Sequence, residues 1–286
     1  MRDLQFESAE ELEEVVAVIE LADVSVKYPG NVVALHPTSL HFRRGEFNVL
    51  LGASGAGKST LLRCLNLLIK PTMGAIQTQD LGSIDSHDAL QRHRRRTGMI
   101  FQQHQLIGRH TALANVLLGR VGYHRAWRAL FPLSRPEQQI ALECLDRVGL
   151  LHKALERVDR LSGGQQQRVG IARALAQQPC LMLADEPVAS LDPSSSRRVL
   201  SQLKRICTED GITAVVSLHQ VDLAREYADR IVGLARGQVV FDGSPQQLSV
   251  AVLQLIYDQA PAVSDLETAV PSSLPSTSFE LATIED

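Results

Sequence analysis

The sequence predicts an α/β fold, a mainly parallel sheet with helices packed on its faces. Three observations predict it. Short apolar runs, FNVLLG, GMIFQ, CLMLADE and ITAVVSLH, recur along the chain. Stretches with helical periodicity separate them. Each run leads into a glycine or ends on a polar side chain, which places reactive groups at the carboxyl edge of a parallel sheet.

The elements follow in order. Residues 1–16 are acidic and form an extension. VAVIELADVSVKY has the β-branched residues and partial alternation of β-structure, and LHPTSLHF leads on from it. Arg43-Arg44-Gly45-Glu46 makes a turn into FNVLLG. STLLRCLNLLI reads as a helix with Leu61, Leu62, Leu65, Leu68 and Ile69 on one face, stopped by Pro71. After GMIFQ, residues 104–160 change character and read as a helical insertion. Ser134-Arg-Pro-Glu137 has the capping-box spacing at the start of IALECLDRVGLL. Asp192-Pro193 supplies an N-cap and first-turn proline for SSSRRVLSQLKRICTED, which Gly211 closes. IVGLARGQVVFDG reads as a hairpin. Residues 259–286 hold five serines, three prolines and five acids without a base, the composition of a disordered tail.

Composition narrows the function classes. Of 286 residues, 44% are hydrophobic and 21% charged, as in ordinary globular chains. A net charge of -3 gives no general attraction to nucleic acid or anionic lipid. Cys64, Cys144, Cys180 and Cys207 form no C-x-x-C pair, so reduced thiols are expected. The acidic N-terminus has no apolar core of a secretory signal. No run reaches the roughly 18 apolar residues of a spanning helix.

Chemistry concentrates at the strand ends. Gly52-Ala53-Ser54-Gly55-Ala56-Gly57-Lys58-Ser59 matches G-x-x-x-x-G-K-[ST] between a strand and a helix, with Thr60 next. Glycines let backbone N–H groups wrap phosphates, Lys58 reaches the β- and γ-phosphates, and the Ser59 hydroxyl suits Mg²⁺. Asp185 and Glu186 follow an apolar strand; Asp185 is placed to hold Mg²⁺ through water, and Glu186 to polarise an attacking water. Taken alone, such a pair is only a loop start, and His219 and Gln102 only polar strand ends. One magnesium–triphosphate crevice accounts for all of them together. LSGGQ, with Ser162, Gly163, Gly164 and Gln165, is a second potential anion-binding helix start. The basic run Gln91-Arg92-His93-Arg94-Arg95-Arg96 lacks the interleaved aromatics of base stacking and reads as a solvated helix face.

These residues together resemble the ATPase subunits of ABC transporters, over roughly residues 17–250. GASGAGKST resembles the Walker A loop, LMLADE the Walker B strand, and LSGGQ the signature. Gln102, which follows the Phe of the family pattern, is similar to the Q-loop glutamine. Asp192 lies in the D-loop-like SLD, His219 resembles the switch histidine, and Tyr28 the aromatic that stacks on adenine. The resemblance implies a P-loop NTPase fold with a RecA-like core, an N-terminal antiparallel part and an inserted helical subdomain. It implies ATP and Mg²⁺, the latter near Ser59, Gln102 and Asp185. It also implies two copies packed head to tail, each signature completing the site of the other. Transmembrane permease subunits at the cytoplasmic face of the membrane are implied partners, a solute-binding protein is an indirect one, and nucleic acid is not. Within the family, HQLIGRHTALANVLLGRVGYHRAW, LADEPVASLDP and VSLHQVDLAREYADRIVGLARGQVVFDG resemble phosphonate importers, with phosphate, amino acids and methionine as alternative cargo. A soluble ATPase acting on ribosomes or DNA fits less well, because the chain has one P-loop and no sustained heptad. A partner that binds without hydrolysing conflicts with intact Glu186 and His219.

Overall fold

The computed structural model describes residues 17–102, 105–124 and 133–257. The acidic extension, Gln103 and the serine- and proline-rich tail lie outside them. The described residues open with a long hairpin, β1 (Ala17–Tyr28) and β2 (Val32–Arg43), followed by β3 (Phe47–Leu51) and α1 (Lys58–Leu65). β4 (Met73–Thr78), β5 (Gly82–Ser83), α2 (His87–Arg95) and β6 (Thr97–Ile100) come next. A helical stretch holds α3 (Ala112–Leu117), a 3-10 segment at 118–123, α4 (Arg135–Arg147) and α5 (Gly163–Leu175). The remainder is β7 (Leu181–Ala184), α6 (Pro193–Asp210), β8 (Thr213–Leu218), α7 (Val221–Tyr227), β9 (Arg230–Ala235), β10 (Gln238–Gly243) and α8 (Val250–Tyr257).

Two sheets result. One is antiparallel, in the order β2-β1-β4-β5; the other runs β10-β9-β3-β8-β7-β6. In the second, β9, β3, β8, β7 and β6 are mutually parallel and β10 closes the edge antiparallel to β9. Its parallel strands are buried on both faces, which is why they read as continuous apolar runs. The strand period of two sorts their side chains between two cores. Phe47, Val49, Leu51, Met182, Ala184, Ala214, Val216 and Leu218 pack with the helical side. Leu50, Leu181, Leu183, Val215, Val232 and Leu234 meet the antiparallel sheet and α1.

Helix α1 is shorter than its periodicity predicts. Leu61, Leu62 and Leu65 are fully buried, each contributing about 1.5–3 kcal/mol. The helix ends at Asn66, Leu67 turns into the left-handed region at φ 51°, and Leu68 is 46% exposed. Leu68 therefore does not join the buried face, and the stop comes ahead of Pro71. The basic run supplies the reason. His93 is buried and its Nε2 lies 2.7 Å from the Leu65 carbonyl, while Arg94 donates to the carbonyl of Leu67 at 2.7 Å. These groups satisfy the orphan acceptors at the end of α1, so the run is not simply a solvated face.

The expected capping box at the start of α4 is also not formed. Ser134 is the N-cap residue but makes no side-chain cap bond. Glu137 instead accepts from Arg120 Nε at 2.5 Å, with His124 Nε2 at 3.2 Å. Arg120 is buried and also donates to the Ala176 carbonyl and to Gln178 Oε1. A buried guanidinium needs a counter-charge more than a helix start needs a second cap.

Candidate active site

The strand order places the functional groups. Strands β8, β7 and β6 are neighbours, with Val216 beside Ala184 and Ala184 beside Ile100. His219, Glu186 and Gln102 follow one or two residues beyond these strand ends, so they emerge side by side at strand spacing. Glu186 sits in the middle. Its Oε2 accepts from Gln102 Nε2 at 2.9 Å and its Oε1 lies 2.5 Å from His219 Nε2. Its backbone is left-handed at φ 48°, a strained conformation for a residue with a Cβ.

The phosphate loop follows β3. A Cβ on Gly52 would stand 2.4 Å from the carbonyl oxygen of Leu234, so the loop can start against β9 only with glycine there. Ala56 N–H closes a turn on the Ala53 carbonyl at 3.2 Å, leaving Ser54 and Gly55 exposed at the crest. Gly57, at φ 104°, begins α1 without any side-chain cap. The first ladder bond is Leu61 N–H to Gly57 O, so the N–H groups of Lys58, Ser59 and Thr60 precede the ladder and can receive an anion. Lys58 is buried, and its Nζ donates to the carbonyls of Gly52 at 2.7 Å and Ala53 at 2.9 Å. An ammonium has a third donor to offer. Burial lowers the Lys58 pKa, and the carboxylates of Glu186 and Asp185 oppose that shift.

Asp185 is held by two hydroxyls, Ser59 Oγ at 2.9 Å and Ser217 Oγ at 3.0 Å, both donating to Oδ1. Ser217 is fully buried on β8 and its oxygen also accepts the Glu186 N–H at 2.8 Å. One hydroxyl thus ties both acids together. Sequence reading missed Ser217; its signal was a polar residue inside the apolar run AVVSL. Tyr28 stands at the tip of the β1–β2 hairpin, opposite Val32 and 38% exposed. Ala34 on the same hairpin touches the position a Gly57 Cβ would take, at 2.9 Å from its carbonyl oxygen, which brings the hairpin beside the loop.

The LSGGQ start of α5 is built differently. Ser162 is the N-cap, its Oγ accepting Gln165 N–H at 3.4 Å while Gln165 Oε1 accepts Ser162 N–H at 2.9 Å. Sequence reading did not use the S-x-x-Q spacing, which carries the signal for this capping box. The N–H groups of Gly163 and Gly164 precede the ladder, and both glycines face Leu191. Among the described residues no hydrogen bond joins residues 161–167 to residues 52–60. Gln102, Asp185, Glu186 and His219 are therefore gathered with the phosphate loop, whereas the LSGGQ start has no bond to it. Asp192 caps α6, accepting from the N–H groups of Ser194 and Ser195 at 3.0 Å and from the Ser194 hydroxyl at 2.7 Å. These bonds, led by the Ser194 hydroxyl, hold its carboxyl far below the usual range.

The sequence profile described as ABC transporter matches residues 35–189. A phosphonates import ATP-binding protein, PhnC 3 of Nostoc sp. strain PCC 7120, is 64% identical over 85% of this chain and 93% of its own length. The phosphite import ATP-binding protein PxtA of Stutzerimonas stutzeri is 65% identical over 84% of this chain and 87% of its own length.

The chain belongs to the ABC transporter family.

Its fold agrees. The ATP-binding cassette MJ0796, in a dimeric post-hydrolysis state with ADP and Pi, superposes with a TM-score of 0.70 at 37% identity, covering 79% of this chain and 98% of that one. As an ABC ATPase the chain binds ATP and couples its hydrolysis to transport. A further contact in this ABC ATPase was not foreseen. Arg173, on α5, donates to the carbonyl of Gln105 at 2.6 Å, and Gln105 lies in the loop after Gln102 at φ 47°. Helix α5 and the loop after Gln102 are thereby tied together. No helix among the described residues is long and apolar enough to cross a membrane.

Proposed function

We propose that this chain is the motor subunit of an importer for phosphonates or the closely related oxyanion phosphite. The observation that carries the hydrolytic part is the clamp on Glu186, held by Gln102 on one side and His219 on the other, beside the phosphate loop. The open N–H groups of Lys58, Ser59 and Thr60 bind the phosphates, and Lys58 adds its charge. Glu186 takes a proton from the attacking water; its carboxylate keeps lone pairs beyond the two already engaged. Gln102 and His219 orient it. Tyr28 offers its exposed ring to the adenine.

Magnesium fits the donor set. Ser59 Oγ, Asp185 and the oxygen of the Gln102 amide, whose nitrogen is used on Glu186, are the hard oxygen donors that this ion prefers. The ion supplies charge stabilisation at the transferring phosphoryl group.

The second anion-binding end explains assembly. The open glycine N–H groups at the start of α5 have no bond to this chain's own phosphate loop. We assign them, with Ser162 and Gln165, to the ATP of a second copy packed head to tail, with Asp192 beside that interface. ATP then holds two copies together, and hydrolysis releases them. Permease subunits receive that motion at the cytoplasmic face of the membrane, with a solute-binding protein acting through them. The names of the relatives at 64% and 65% identity support the cargo.

Transport in cells tests this reading. Cells with the wild-type chain or Lys58→Ala are offered labelled alkylphosphonate, phosphite, phosphate, glutamate and methionine. Lys58-dependent uptake of phosphonate or phosphite is expected. Lys58-dependent uptake of another solute would keep the motor and overturn the cargo.

A further inference from the structure

The segment that follows β10 is tied to the hydrolysis site. Helix α8 is seated on β9 by Ile256, which is buried against Gly233; a Cβ at Gly233 would stand 2.6 Å from Ile256 Cδ1. Gly233 is the register partner of Leu51, the last residue of the strand that feeds the phosphate loop. From this seat the next residue, Tyr257, reaches across to the end of β8, where its hydroxyl donates to the carbonyl of His219 at 3.1 Å. That carbonyl precedes the α7 ladder, whose first bond runs from Ala224 N–H to Gln220 O. A second tie holds the other end of the same unit, with Arg225 of α7 donating to the carbonyl of Leu248 at 2.6 Å. The stretch 248–257 thus grips the His219–α7 unit at two points.

We propose that Tyr257 is a positioning residue for ATP hydrolysis. Its hydroxyl fixes the backbone of His219 and, through it, the 2.5 Å contact between His219 Nε2 and Glu186 Oε1. The role rests on the reading of Glu186 and His219 given above. A histidine side chain meets a carboxylate in one geometry only if its own backbone is fixed, and the His219 ring is itself partly exposed. Burial raises the Tyr257 phenol to about 12, so it remains a protonated donor throughout the physiological range. None of the motifs read from the sequence includes this residue, and the seat that carries it is made by Gly233 and Ile256.

The test uses the full chain with magnesium ATP. Tyr257→Phe keeps the ring and removes one hydrogen bond. It is expected to lower kcat about threefold to tenfold, the reach of a single hydrogen bond, with the KM for ATP changed less than about twofold. In a His219→Ala background, followed by single turnover, the same substitution is expected to have no further effect, because the group it positions is gone. A wild-type rate for Tyr257→Phe, or an equal fractional loss in both backgrounds, would overturn the proposal and leave Tyr257 a packing residue. Absence of Lys58-dependent hydrolysis in the wild type would instead overturn the motor reading itself.

Discussion

Ser217 offers a sharp test of how the acids are held. Its hydroxyl accepts the Glu186 N–H at 2.8 Å and donates to Asp185 Oδ1 at 3.0 Å, from a fully buried position. Ser217→Ala removes one oxygen atom and both bonds. An unpaired N–H costs about 1–3 kcal/mol, and a lost hydrogen bond to a carboxylate about 1.5–3. The two share one atom and do not add fully, so a destabilisation of about 3 kcal/mol is expected. The N–H bond also helps hold Glu186 at φ 48°, a conformation that costs on the order of 1–3 kcal/mol. Relaxation of that strain would move the carboxylate away from Gln102 and His219, and the same energy converts to roughly 5–150-fold in kcat. Thermal unfolding and steady-state ATP hydrolysis measure the two effects. Ser25→Ala is the control, since the Ser25 hydroxyl is buried with no hydrogen-bond partner among the described residues and its removal should be neutral or stabilising. If Ser217→Ala behaved like Ser25→Ala, with unchanged Tm and kcat, the bridge would carry no load and the account of Glu186 would fail.

Other outcomes follow from the same geometry. Glu186→Gln should cut hydrolysis by ~10²–10⁴, the usual worth of a general base, and leave an ATP-bound dimer visible by gel filtration; wild-type turnover would remove Glu186 from that role. Arg120→Met leaves Glu137 charged and largely enclosed, and should cost about 3–5 kcal/mol, a Tm fall of roughly 6–20 °C. Adding Glu137→Leu should recover at least half of it; a single variant as stable as wild type would mean the pair is idle. Burial holds the His93 pKa below its ordinary 6.5, so the unfolded chain takes up that proton first and the stabilisation present above 6.5 is lost as pH falls. Melting curves at pH 7.5 and 5.5 should therefore converge more closely for His93→Gln than for wild type, and an identical pH dependence would contradict a buried neutral imidazole.

Much of the site was legible because it is written in contiguous residues. The glycine loop, LADE and LSGGQ each need only a strand or helix next to them, and local pattern supplies that. The apolar runs announced a doubly covered sheet for the same reason. Local pattern failed where a distant group competed. Leu68 has the helical period of a buried residue, yet α1 stops at Asn66, where His93 and Arg94 hydrogen-bond to the carbonyls of Leu65 and Leu67. Glu137 has capping-box spacing, yet Arg120 claims it across the helical stretch.

The sequence by itself determined which residue types stand at each strand end and where the helices can begin. Only the tertiary structure decided which ends are neighbours. The order β3-β8-β7-β6 sets Gln102 and His219 on either side of Glu186, although 84 and 33 residues separate them along the chain. It likewise set Ser217 between the two acids, while the seat of α8 on β9 brought Tyr257 to the backbone of His219. Strand pairing between distant segments follows from the burial of both sheet faces together, and no short window of residues contains that information.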